Sequence, residues 1–288
     1  MDWLLFIALS VIWGSSFILI KIGLNNHLSP YQVAAIRIVS SGIVLLPIAI
    51  GAFKKIPPAK IKLAFLSGML GSLLPAFLFC LAENGIDSSL AGMLNALTPV
   101  FVIIIGAVFF KAATGKNKIV GTAIAFAGSV LLVLSKGNMQ ESNHLLYVSF
   151  VVMATIMYAV NLNMVTKYLA DIPSLQITAV ALTLNAIPAL IILIASGFFS
   201  LSFQQHEILV ATSASAVLGI GGTAIATFLF YVLVKRAGGL FASMVTYGIP
   251  FIAVGWGIYF KEKFAWPQVA CLLVILLGVY LANRKVSV

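Results

Sequence analysis

Charge is what this chain has least of. Asp, Glu, Lys and Arg together make up 8% of its 288 residues, about a third of the share in an ordinary globular protein. That scarcity excludes a soluble domain. Seven acids and three histidines also leave few groups for acid–base or metal chemistry. His27, His144 and His206 all fall between apolar runs without ligand spacing, so they are read as solvated loop residues and no metal is expected. Cys80 and Cys271, the two cysteines, sit inside apolar stretches and are read as small packed hydrophobes, not a disulfide pair. The strand-type alternation of an outer-membrane barrel is missing. So is a basic flank or small-residue cleavage site after Met1-Asp2-Trp3, and no cleavable signal peptide is expected. There is no low-complexity tract and no long linker.

What is present is apolar. Hydrophobic residues reach 62% and the mean hydropathy is +1.14, with apolar runs of about 20 residues recurring along the whole length. The runs predict an all-α, polytopic membrane protein with ten transmembrane helices. In the first half they cover 3–24, 31–52, 62–82, 89–110 and 118–135. The second half has 145–166, 173–196, 208–233, 239–260 and 266–282.

The 17 Lys and Arg against seven Asp and Glu are not a nucleic-acid signature, because they lie in short loops. With the N-terminus in the cytoplasm, twelve of the bases fall on the cytoplasmic side, among them Lys54, Lys60, Lys116, Lys167, Arg236 and Arg284. Only Lys136, Lys261 and Lys263 fall on the outer side, while Lys21 and Arg37 lie within spans. This bias places both termini in the cytoplasm and the chain in a cell's inner or plasma membrane.

The chain also repeats itself. Pro99 superposes on Pro250 at a separation of 151 residues, which also matches Gly68 with Gly219, Gly71 with Gly222 and Phe77-Leu78-Phe79 with Phe228-Leu229-Phe230. We therefore divide the chain into two five-helix repeats, 1–140 and 141–288. An odd number of spans per repeat threads the second half through the bilayer upside down relative to the first, an arrangement common among secondary transporters.

Several motifs carry a resemblance to a known family. These are Trp13-Gly14-Ser15-Ser16-Phe17, Arg37, Leu97-Thr98-Pro99, Tyr247-Gly248-Ile249-Pro250 followed by Lys261-Glu262, and the segment from Gln268 through Gly278 to Tyr280. In order and spacing they resemble the EamA-like family of the drug/metabolite transporter superfamily, ten-helix exporters and permeases. The resemblance implies a basket-like bundle around a central cavity that moves amino acids, other metabolites or drugs. It departs after the fourth span, where Phe110-Lys111 replaces the family's glycine–glutamate, and only Glu262 keeps the acid.

Candidate site residues follow from polarity inside the spans. Pro99 and Pro250 each remove a backbone donor, and Asn95, Thr98, Thr246 and Tyr247 lie within one turn of them; together they suggest a kinked polar wall in each half. The competing reading is a structural kink whose hydroxyls bond back to the helix. Trp13 and Ser16 match Tyr158 and Asn161 at a separation of 145 residues. Either they form an aromatic and polar site for a planar or amphipathic solute, or they are interhelical packing and hydrogen bonds. Tyr231 and Trp256 are weaker candidates, read as packing. Arg37 lies roughly 10 Å into its span at about 1.5 Å per residue. It would hold an acidic group of the substrate, pair with Glu83, or snorkel outward, and the pairing is favoured. Lys21 is read as snorkelling, and the glycine pairs as sites of close helix packing.

The expected function is secondary transport of a small amphipathic metabolite, an amino acid or related solute, by alternating access and in the export direction. An intramembrane enzyme or a channel is the alternative. An enzyme needs paired carboxylates, Ser–His or metal ligands inside the spans, and a channel needs a filter sequence; neither is visible here. No cofactor is expected. The partners are the solute and the lipid bilayer, and the protein is expected to be a monomer. No Asp or Glu lies deep in a span, so movement down the solute's own gradient, or coupling through a marginal site near Glu83, is expected.

Overall fold

The structure is a computed structural model that describes residues 2–111, 116–135, 144–262 and 266–283. Among them there are helices and no strands. The first half contains α1 (Asp2–Asn25), α2 (Pro30–Phe53), α3 (Pro58–Gly68), α4 (Leu74–Glu83), α5 (Ser88–Leu94), α6 (Thr98–Phe110) and α7 (Lys116–Ser135). The second contains α8 (His144–Tyr168), α9 (Ser174–Ala195), α10 (His206–Val217), α11 (Ala226–Ala237), α12 (Gly239–Ser243), α13 (Val245–Tyr259) and α14 (Trp266–Asn283).

Eight helical stretches are long and apolar enough to cross a membrane. Among them are Pro58–Glu83, which joins α3 and α4, and His206–Ala237, which joins α10 and α11. Two shorter apolar helices, Ile119–Leu132 and Trp266–Gly278, stand at the fifth and tenth expected positions. Many large apolar side chains face outward, Ile43, Ile50, Phe109, Ile191, Tyr259 and Leu277 among them. In water such a surface would associate; against lipid tails it costs nothing.

Local sequence explains the helix boundaries. Ser29 and Gln32 form a capping box with Pro30 at the first helical position, so α2 starts where its orphan amides are satisfied. The fourth span breaks just before its proline: α5 ends, Asn95–Leu97 forms a 3-10 turn, and α6 resumes at Thr98. In the ninth span the break falls at Met244, six residues ahead of Pro250, which lies inside α13.

Two segments were not anticipated. Met69–Leu73 and Leu218–Ile225 are π-helical, and each carries one member of the Gly71/Gly222 pair. The wider turn unseats carbonyls from the regular ladder, a feature concentrated at functional sites.

Helix pairing treats the halves alike. The most extensive contacts join α2 to α9 and α7 to α14, each helix meeting its own counterpart, while α1 packs on α13 and α6 on α8. Glycines set the closeness of these pairs, as the sequence suggested. A Cβ built on Gly128 would lie 2.9 Å from the Ile275 amide nitrogen, and one on Gly278 2.3 Å from that of Ala125. The cysteines are free, Cys80 fully buried and Cys271 half-buried. His144 departs from its expectation: it opens α8 and is buried, so it is not a solvated loop residue. His27 and His206 are exposed.

Polar contacts tie the loops into two groups. Lys60 pairs with Asp171, Arg236 with Asp2, and the Lys235 ammonium donates to the Ile172 carbonyl. In the other group, Lys21 donates to the carbonyls of Glu83 and Ile86, and Gln32 to that of Ser196. Glu262 accepts from the Ser88 and Ser89 amides and, at 2.5 Å, from the Ser88 hydroxyl. Glu262 therefore caps the start of α5 from the opposite half, where a carboxylate meets the positive end of the helix dipole.

Candidate functional site

A cavity of about 830 Å³, its open mouth included, lies between the halves. Each π-helical segment supplies part of its wall through Gly71 and Gly222. The two glycines do the same job. A Cβ on Gly71 would sit 2.2 Å from Asn161 Nδ2, and one on Gly222 would sit 2.8 Å from Ser16 Oγ. Ser16 and Asn161 are the matching first-helix positions of the two halves, so each glycine admits the polar residue of the opposite repeat. Trp13 exploits the irregular backbone: its indole Nε1 donates to the Gly222 carbonyl at 3.0 Å, and its ring packs 5.0 Å from that of Phe230.

Most of the expected residues meet here. Trp13, Ser16, Arg37, Asn95, Thr98, Tyr158, Asn161 and Thr246 all line the cavity. Pro99, Pro250 and Tyr247 do not. Both prolines are buried in their helices, and Tyr247 packs against the apolar core. Pro99 stands in the first turn of α6 and Pro250 inside α13, while Asn95, Thr98 and Thr246, within a turn of them, line the cavity. The Thr98 and Thr246 hydroxyls bond back to the carbonyls of Asn95 and Ser243, at 2.9 and 2.8 Å.

Arg37 corrects the sequence reading. It is 7% exposed, so it does not snorkel, and its Nε donates to Thr223 Oγ1 at 2.7 Å. It makes no ion pair with Glu83. That residue is buried at the end of α4, off the cavity wall, and neither carboxylate oxygen has a hydrogen-bond partner among the described residues. Lys21 bonds the Glu83 main-chain carbonyl instead, and so fixes the end of α4 rather than snorkelling.

Sequence reasoning missed Thr223, Thr227, Ser72, Ser243, Phe79 and Phe230, all cavity-lining. It also undervalued Tyr231, which is 2% exposed and lines the cavity. The Tyr231 hydroxyl lies 2.9 Å from Ser67 Oγ and accepts from Asn161 Nδ2 at 3.2 Å, while Ser67 donates to Asn161 Oδ1 at 2.7 Å. The repeat itself held the signal, since Ser72 and Thr223 stand 151 residues apart, each one residue past a π-segment glycine. Trp256 is a third exposed and donates to Ser15, a packing role as expected.

Chemically, the cavity has aromatic walls, neutral polar groups and a single guanidinium. Neither a nucleophile–base pair nor a cluster of acids and histidines lines it among the described residues.

Comparison with known proteins agrees with this architecture. An uncharacterized transporter of Archaeoglobus fulgidus is 26% identical over 98% of this chain and 99% of its own length. Protein PagO of Salmonella typhimurium is 23% identical over 96% and 91%. A probable amino-acid metabolite efflux pump of Salmonella typhimurium is 28% identical over 49% of this chain and 45% of its own. A solved structure with 15% identity matches the fold at a TM-score of 0.68, over 97% of this chain and 95% of the other. The profile of the EamA-like transporter family matches residues 2–134 and again 145–284. A membrane protein with a duplicated helical body and a polar cavity at the seam, this chain belongs to the EamA-like transporter family.

Proposed function

We propose that this protein is a secondary transporter that moves a small amphipathic metabolite outward across a cell's inner or plasma membrane by alternating access. Amino acids and related solutes are the first class to test, because two relatives, each matched over 45% of its own length, are named as probable amino-acid metabolite efflux pumps. One observation carries the reading: equivalent residues of both halves meet around a single cavity, with Ser16 and Asn161 seated against Gly222 and Gly71. A site on the pseudo-symmetry seam is reached from either side when the halves rock about it.

The ten spans divide into two inverted repeats, 1–140 and 141–288. The family profile, which matches once in each half, supports that division. The loop contacts support the inversion. Asp2, Lys60, Asp171 and Arg236 gather in one group and Ile86, Ser88, Ser196 and Glu262 in the other, the same grouping as the distribution of basic residues. Both termini are then cytoplasmic and the working unit is a monomer.

Purified protein in proteoliposomes tests the proposal through efflux of radiolabelled amino acids and related acids, with and without an imposed pH gradient. Saturable efflux above protein-free vesicles, independent of the pH gradient, is the expected result. Strict dependence on that gradient would replace uniport by proton coupling. Equal flux through Asn161→Ala and Asn95→Ala variants would remove the cavity from the pathway.

A further inference from the structure

Arg37 is the only charged side chain among the described residues that line the cavity. Its Nε is committed to Thr223, which fixes the plane of the guanidinium. Neither terminal nitrogen has a protein partner among the described residues. A guanidinium held away from bulk water and left without a counter-ion is costly, and such intramembrane charges face a partner or a solute pathway. Two parallel N–H donors match the two oxygens of a carboxylate.

Among the described residues no acid comes within ion-pair distance of Arg37. No Asp or Glu lines the cavity among the described residues, and Glu83, at the end of the third span, makes no hydrogen bond or ion pair with Arg37. The α-ammonium of an amino acid sits one carbon from its carboxylate. With that carboxylate on Arg37, the ammonium would enter the field of the same cation and meet only neutral oxygens. The remaining walls favour a flat apolar body: Phe79 and Tyr158 stack at 6.0 Å and 25°, and Trp13 and Phe230 face them from the first and eighth spans.

We propose that the cavity selects small organic monoanions, binding a carboxylate on Arg37 and a planar apolar group among its aromatic rings, in preference to zwitterionic amino acids or cations. This rests on the transporter reading and narrows its substrate class.

Three probes with one common body decide it: 3-phenylpropanoate, phenylalanine and 2-phenylethylamine, which bear an anion, a zwitterion and a cation. Titration calorimetry on the purified wild-type protein at neutral pH should rank them in that order, with about a tenfold step or more between acid and amino acid, as expected for one charged hydrogen-bonded pair. The neutral amide, 3-phenylpropanamide, should bind at least about tenfold more weakly than the acid to wild type, and no more weakly than the acid to Arg37→Gln. Should Arg37→Gln fail to purify as a monodisperse species, the acid–amide difference on wild type carries the same information. Tighter binding of the amine or the amino acid than of the acid, or no binding of any of them, overturns the proposal. Proteoliposome flux separates the two readings. If the acid binds in the expected order and is not moved, the transport reading falls and the site assignment stands. If only the amine or the amino acid is moved, transport stands and the anion selectivity falls.

Discussion

The two walls of the cavity are built from equivalent positions and bear different chemistry. On one wall Arg37 donates to Thr223, joining the first repeat to the second. The counterparts, Ala181 and Ser72, offer no such bond: Ala181 is a buried apolar side chain, its carbonyl facing Gly68 as that of Arg37 faces Gly219. On the other wall Ser67, Asn161 and Tyr231 satisfy one another, where the first-helix counterpart, Ser16, bonds only its own helix at Ile12. The counterparts of Tyr231 and Ser67 are Cys80 and Leu218, both buried. Duplication thus supplied one skeleton, with a π-helical segment and a close-approach glycine in each half, and divergence placed the charge on one side. A symmetric frame suits the proposed exchange between two related shapes; an asymmetric lining suits a solute with two different ends.

The largest expected effect comes from forcing the charge onto the wrong wall. Ala181→Arg forces a guanidinium into a buried apolar position of α9, and should destabilise the protein by about 3–5 kcal/mol, as an uncompensated buried charge does. Arg37→Ala, the reverse exchange, should leave the protein folded while lowering carboxylate flux about tenfold or more. Thermal unfolding in detergent and proteoliposome efflux measure the two. Equal stability of both variants would mean that the walls do not differ as described.

Next come the glycines, where the halves should agree. A Cβ on Gly219 would lie 2.3 Å from the Arg37 carbonyl, and one on Gly68 2.7 Å from the Ala181 carbonyl. Backbone cannot step aside as a side chain can, so Gly219→Ala and Gly68→Ala should each cost about 1–3 kcal/mol, Gly219→Ala the more. Wild-type melting temperatures for either would break the shared close approach.

Smaller again is Tyr231→Phe. Removing the hydroxyl takes a partner from Ser67 and Asn161 in a buried network, an expected loss of about 1–2 kcal/mol. Cys80→Ala, at the matching position, removes only packing and should cost less; melting curves of the pair test the ordering.

The smallest effect lies outside the membrane. The Lys60 ammonium bonded to Asp171 holds that carboxyl below the usual aspartate range. A lowered acid stabilises the folded state at pH values above its unfolded pKa, and that contribution disappears as pH falls through the folded value. Asp171 is exposed, so solvent screens the pair and the loss is slight. Wild type and Asp171→Asn should differ slightly in melting temperature at pH 6 and converge toward pH 3; a constant gap would assign the difference to something other than ionisation.

Much of this was legible in the chain itself. Apolar runs located the helices because lipid leaves a backbone no other way to satisfy its amides, and the offset repeat located both cavity walls because equivalent positions fold alike. Trp13, Ser16, Tyr158 and Asn161 were found this way. Pro99, Pro250 and Tyr247 lie off the cavity wall, because a proline in a span does not say which side of its helix faces the cavity. Tyr231 and the pair Ser72 and Thr223 were hidden by ordinary residue types in apolar company.

Sequence by itself determined that the chain is helical, membrane-embedded and duplicated, since composition and periodicity are properties of each segment alone. Only the tertiary structure decided that Arg37 meets Thr223 and not Glu83, that Glu262 caps a helix of the other half, and that Gly71 and Gly222 lie within π-helical turns. Those outcomes depend on which helices touch and at what rotation, and a span's apolar pattern, nearly uniform around its circumference, does not encode it.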